Sequence, residues 1–232
     1  RSFVGRQPIP IVYGLTIGEY AMMLAGEKWL TEKANKKEEY YRHAQSSKDT
    51  PFHFLVIKCK NYDHNSKYIL PVKPSPNLPE IQSVYWYPST CFFEGTVLSE
   101  GRGTEKPFQY FGHPSLPKTL FSFTPHSMDG AKDPKLKDKV CYGWNLSGTP
   151  AQVLKQVNNK VQLKWIMQAY KLFPEKEKFF LNSKSLNRLA GNDKLMQQIK
   201  DGKSEEEIRK SWEPELSNYK AIRKKYLLYK DF

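Results

Sequence analysis

The sequence predicts a mixed α+β fold of the α/β class: a small central sheet covered by helices, with a helical C-terminal tail. Three observations carry this. Short β-favouring runs at Tyr85–Phe93, Leu120–Thr124 and Cys141–Leu146 are separated by turn-rich loops. A long apolar stripe follows at helical spacing after residue 150, and the last forty residues are charged and helix-favouring.

Pro8 and Pro10 precede Thr16, which with Glu19 forms a capping-box pattern that starts a helix reaching about Leu30, with Met22, Met23, Leu24 and Trp29 toward the core. About fifteen charged residues follow. Phe52–Lys60 then reads as a strand, with Phe54 and Val56 on one side and Leu55, Ile57 and Cys59 on the other. The segment PVKPSPNLP, Pro71 to Pro79, holds four prolines and can be neither helix nor central strand. It is a linker or an extended ligand-lining wall, in which Asn77 is the one group suited to read a sugar hydroxyl or amide. Thr149-Pro150 opens the longest helical pattern, in which Val153, Val157, Val161, Leu163, Trp165, Ile166 and Tyr170 form a core stripe that stops at Pro174. Further helices are expected over Asn192–Lys200, Ser204–Ser211 and Pro214 to about Leu228.

Composition narrows the functional classes. The 232 residues are enough for one large domain or two small ones. The chain opens on Arg1 and reads from its first residues like the middle of a protein, so it is expected to be the C-terminal portion of a longer polypeptide. No apolar run approaches the roughly 18 residues of a transmembrane segment, and no signal-peptide pattern is present. Cys59, Cys91 and Cys141 lack CxxC spacing and are expected as buried free thiols. The five histidines, His43, His53, His64, His113 and His126, show no i, i+4 pair, so no metal and no cofactor is assigned. A net charge of +13 raises nucleic acid as a partner, but 30 of the 37 basic residues are lysines interleaved with glutamate. That is a solvated surface rather than an arginine-rich groove, and nucleic acid is set aside.

The segment Trp86–Phe108, WYPSTCFFEGTVLSEGRGTEKPF, is the candidate site. It is read as a strand ending in a loop, with Glu94 at the junction and Glu100 and Arg102 on the loop, while Gly95, Gly101 and Gly103 permit positive φ and close approach. A pair of carboxylates can act as general acid with a base or nucleophile, as in glycoside hydrolysis, which makes Glu94 and Glu100 the candidate catalytic residues. Arg102 can meet a carboxylate or phosphate as a planar fork. Thr96, Ser99, Thr104 and Asn77 complete the candidate substrate-binding set. The competing reading is a structural ion pair between either glutamate and Arg102 on a glycine-shaped loop.

Several segments, in order over nearly the whole chain, resemble the exo-β-N-acetylmuramidase NamZ family: SFVGRQPIP (2–10), GLTIGE (14–19), SPNLP (75–79), the run EGTxLSxGRGTxxPF within 87–108, LNRLAG (186–191), SWEPEL (211–216) and YLLY (226–229). The resemblance implies an exo-acting glycoside hydrolase that removes N-acetylmuramic acid from the non-reducing end of peptidoglycan fragments in cell-wall turnover and recycling, in the periplasm or outside the cell. It implies that residues 1–15 are a lead-in and 16–232 the C-terminal α/β domain of a two-domain enzyme, with the N-terminal Rossmann-like domain absent and a cleft between the two. The chain would then partner peptidoglycan-derived saccharides and that missing domain. The alternative is a carbohydrate-binding or interaction domain with catalysis in the missing half. Tyr13 and Val97 stand where many members have histidine and asparagine, and retaining, inverting and substrate-assisted routes are all compatible with the pattern.

Overall fold

The computed structural model describes residues 7–31 and 55–232. In chain order its regular elements are α1 (Ile17–Gly26), α2 (Ile81–Thr90), a 3-10 turn (Cys91–Gly95), β1 (Tyr110–His113), β2 (Phe121–Phe123), β3 (Cys141–Asn145), α3 (Pro150–Val157), α4 (Lys164–Leu172), a second 3-10 turn (Lys176–Lys178), α5 (Ser183–Ala190), α6 (Lys194–Lys200), α7 (Glu205–Lys210) and α8 (Glu213–Lys224). They fall into two compact units, one built on residues 69–210 and the other on the described part of 7–68 with 211–232.

In the first unit the sheet is antiparallel in the order β1-β3-β2, with Gly112 opposite Gly143 and Phe123 opposite Cys141. The expected strands at 120–124 and 141–146 form. The expected strand at 85–93 does not: it is helix α2 followed by a 3-10 turn. The reason is spacing, because Ser83, Trp86, Ser89 and Thr90 are the buried positions of α2, a helical period that outweighs the β preference of its aromatic residues. Trp86 is fully buried and its indole Nε1 donates to the Leu146 carbonyl at 3.0 Å, tying α2 to the end of β3. Phe93 stacks on Phe111 of β1 with ring centroids 4.2 Å apart, which sets the 3-10 turn against the sheet.

The long helical pattern is two helices. The capping box at Thr149 and Gln152 forms as expected, but Asn158 and Asn159 both take φ of 50°, and Asn158 ends α3 in a left-handed cap. Helix α4 restarts at Lys164 and stops at Leu172, since Phe173 before Pro174 is extended. Cys91 and Cys141 are buried as expected, and burial pushes both thiols up to about 12.

In the second unit the Thr16–Glu19 capping box forms, with Thr16 N donating to Glu19 Oε2 at 2.7 Å. Helix α1 ends at Gly26, earlier than expected, and of the four predicted core residues Met23 is fully buried while Met22, Leu24 and Trp29 are half-buried. The predicted strand 52–60 lies partly outside the described residues, and 55–60 take no strand. There Cys59 is exposed, against the expectation of a buried thiol. Glu19 is fully buried, and its Oε1 accepts from His64 Nε2 at 3.1 Å and Leu228 N at 2.7 Å. Arg223 forks onto Asp231 at 2.8 and 2.7 Å.

Candidate functional site

Glu94 is the penultimate residue of the 3-10 turn Cys91–Gly95. From there the chain runs along β1, where Ser99 N donates to Gly112 O at 2.9 Å and Gly112 N returns a bond to Ser99 O at 3.1 Å. It then reverses through Gly101 and Gly103, both at φ +81°. A Cβ at Gly101 would lie 2.6 Å from the Tyr110 carbonyl, and one at Gly103 would lie 2.6 Å from that of His126, so only glycine fits either turn. Phe108 N donates to Glu100 O at 2.8 Å to close the loop, with Phe108 itself held at φ 63°, uncommon for an aromatic residue.

This backbone brings the three charged groups of the sequence reading together. Arg102 Nη2 donates to Glu94 Oε2 at 2.9 Å and Nη1 to Glu100 Oε1 at 3.2 Å, and the guanidinium lies 5.1 Å from the Phe108 ring centroid. Burial works against the Arg102 charge, but Glu100 and Glu94 outweigh it and raise its pKa above the ordinary value. Glu100 is 2 % exposed, whereas the side chains of Glu94 and Arg102 keep 23 % and 31 %. The structural ion pair and the candidate site are thus the same three residues, and two of them retain access to solvent.

An open hollow of about 340 Å³ is lined by Glu100 and Arg102 together with Asn77, Lys132, Asp133, Lys135 and residues 130, 131 and 134, and Glu94 is not among its lining residues. Asn77 Nδ2 donates to Gly130 O at 2.8 Å, which fixes the amide at the rim. Thr96, Ser99 and Thr104 are not among the lining residues. Their hydroxyls serve the loop itself: Thr96 donates to Phe93 O at 2.9 Å, Ser99 accepts from Gly101 N at 3.1 Å, and Thr104 donates to Gly101 O at 2.7 Å.

Two participants escaped the sequence reading. Tyr87 on α2 packs edge-on to Phe108 at 4.8 Å, and burial followed by the nearby charge of Glu94 raises its phenol pKa. Its position in the YPST run was the available signal. Lys135 reaches the site from the polar loop 125–139, where nothing local distinguishes it from its neighbouring lysines. No cluster of metal-ligating side chains occurs among the described residues, and none of their helices is long and apolar enough to cross a membrane.

Comparison with known proteins places this geometry in context. The family model described as exo-β-N-acetylmuramidase NamZ, C-terminal, matches residues 85–229, and that described as NamZ, N-terminal, matches residues 1–82. The chain therefore carries a region of N-terminal type over residues 1–82, longer than the lead-in of residues 1–15 that was expected. It is 32 % identical over 98 % of its length to the peptidoglycan β-N-acetylmuramidase NamZ of Bacillus subtilis, and spans 53 % of that protein. A crystal structure of a DUF1343 family protein from Bacteroides fragilis superposes with a TM-score of 0.85 at 39 % identity, over all of this chain and 60 % of the other. A second DUF1343 structure from the same organism shares the fold, with a TM-score of 0.61 at 20 % identity, over 96 % of this chain and 58 % of the other.

Proposed function

This chain belongs to the exo-β-N-acetylmuramidase NamZ family, and from that premise we propose that it forms part of a glycoside hydrolase removing N-acetylmuramic acid from the non-reducing end of peptidoglycan fragments. The observation that carries the reading is the convergence of Glu94 and Arg102, both partly open to solvent, beside a hollow that Arg102 lines. Muramic acid bears a lactyl carboxylate, and a guanidinium is a directional donor for it. In this reading Arg102 receives the lactyl group at the hollow, and Glu94, the more open of the two carboxylates, performs acid/base or sugar-positioning work. Glu100, enclosed between Arg102 and Lys135, keeps Arg102 in place. Asn77 at the rim is suited to a sugar hydroxyl or acetamido group. Work on peptidoglycan fragments in turnover and recycling is most natural in the periplasm or outside the cell, which fractionation of the parent organism tests.

The test is turnover of a chromogenic N-acetylmuramic acid glycoside by a polypeptide containing both complete family regions. Glu94→Gln should lower kcat by at least about 10²-fold, the usual loss when a general acid or base is removed. A variant within threefold of the parent rejects the role of Glu94. The pairing of both carboxylates to one arginine favours a second reading, a saccharide-binding domain whose chemistry is done by the N-terminal region. It predicts that Glu94→Gln weakens saccharide binding in proportion to its loss of rate, whereas the hydrolase reading keeps binding and loses kcat.

A further inference from the structure

The Lys135 ammonium is more completely surrounded than any role on a solvated lysine face requires. Its Nζ donates to the carbonyls of Phe93 at 2.9 Å, Thr96 at 3.1 Å and Leu98 at 3.1 Å, with the Glu94 carbonyl at 3.5 Å. Glu100 Oε2 stands 2.8 Å away, near enough for an ion pair though not aligned as a hydrogen bond. Five oxygens from residues 93–100 thus converge on one cation supplied by a loop some thirty-five residues downstream. Successive carbonyls turned toward one point repel each other unless a positive charge sits among them.

We infer that Lys135 is a positioning residue for the hydrolytic site, a tethered cation that folds the segment 93–100 around itself and so aims Glu94 and, through Glu100, Arg102. The inference rests on the hydrolase reading for its effect on rate, but its structural content does not. Removal of the ammonium leaves the carbonyls facing an uncharged space, and the segment relaxes. Glu100 then loses one of its two cationic partners, and Glu94 moves with the backbone. A displacement of about 1 Å at such groups lowers turnover on the order of 10²-fold. An empty cage of oxygens at 2.8–3.1 Å is also the right size for a free ammonium ion. Lys135→Arg should not substitute, because a planar fork cannot direct its donors at oxygens arranged around a point.

The experiment uses the polypeptide with both family regions and Lys135→Ala, with folding checked by near-ultraviolet circular dichroism. Two quantities are read: kcat and KM on the muramic acid glycoside, and amide hydrogen exchange of residues 95–104. Each is measured in ammonium chloride and in tetramethylammonium chloride at equal ionic strength. The expected result is a loss of about 10²-fold in kcat with KM within about threefold, faster exchange in 95–104, and recovery of both by at least tenfold in ammonium only. A kcat within threefold of the parent, or exchange in 95–104 unchanged, overturns the inference. Loss of rate with no recovery in ammonium reduces Lys135 to a packing role and also overturns it. Should Lys135→Ala not fold, Lys135→Met, which keeps the aliphatic stem, is measured in its place under the same criteria. If the parent itself does not hydrolyse the glycoside, the hydrolase reading fails, while the exchange measurement still decides whether the cation organises the loop.

Discussion

Replacement of Arg102 by lysine separates charge from geometry at this site. The arginine bridges Glu94 at 2.9 Å and Glu100 at 3.2 Å while lying over Phe108. A lysine keeps the positive charge but offers one compact head, which cannot occupy both positions at once. The variant therefore forfeits one charge-assisted hydrogen bond, about 1.5–3 kcal/mol when buried, and most of the contact with the ring, about 0.5–1 kcal/mol. Arg102 and Glu94 are a quarter to a third exposed, so solvent screening reduces the first contribution. A net loss of about 1–2 kcal/mol is expected, and about 3–6 °C in Tm for a chain of this size. In the proposed function the fork is also the lactyl receptor. KM for the muramic acid glycoside should rise about tenfold, the equivalent of about 1.4 kcal/mol, while a glycoside lacking the lactyl group should show no such change. A variant with parental Tm and parental KM refutes the argument that the planar fork, rather than charge alone, organises the site. Equal KM increases for both glycosides would retain the structural part and remove the lactyl part.

Two further perturbations test the surroundings. Gly103→Ala places a methyl group 2.6 Å from the His126 carbonyl and 2.6 Å from Pro134 Cγ at a φ of +81°, so a loss of about 1–3 kcal/mol is expected in urea unfolding, with parental stability as the refuting result. In the second unit, burial opposes ionisation of Glu19, but hydrogen bonds from Thr16 N, Leu228 N, His64 and the Thr16 hydroxyl outweigh it and hold the carboxyl below its ordinary value of 4.5. A depressed carboxyl stabilises the fold above its unfolded pKa and loses that contribution as pH falls through the folded value. Urea midpoints should therefore decline below about pH 4.5 in the parent, and Glu19→Gln should be less stable at neutral pH with a shallower decline. Parallel curves for the two proteins would show that Glu19 is not the group responsible.

The limits of the sequence reading have particular physical causes. Strands β2 and β3 were legible because short aromatic or β-branched runs stood between turn residues, and the Thr16 and Thr149 caps were legible because a capping box is local chemistry. Strand β1 was not anticipated: its four residues include Gly112 and His113, and its strand character comes from pairing with β3. Helix α2 was misread because propensity favoured a strand while the burial of Ser83, Trp86, Ser89 and Thr90 follows a helical period.

The same contrast decides what was legible of the site. Glu94, Glu100 and Arg102 lie within nine residues of each other, so a local reading found them, although through the wrong element. Thr96, Ser99 and Thr104 were equally local, yet a hydroxyl on a tight loop has unpaired amides and carbonyls nearer than any ligand, and all three hydroxyls are taken by them. Lys135 is the converse case. One of thirty lysines, it acquires significance only when the chain folds back and five oxygens meet its ammonium. A charged triad that a motif can identify is therefore incomplete until a distant cation closes it. Variants in the loop 125–139 should accordingly be read first at Lys135, because it alone of that loop's lysines carries Glu100 and the carbonyls beside Glu94.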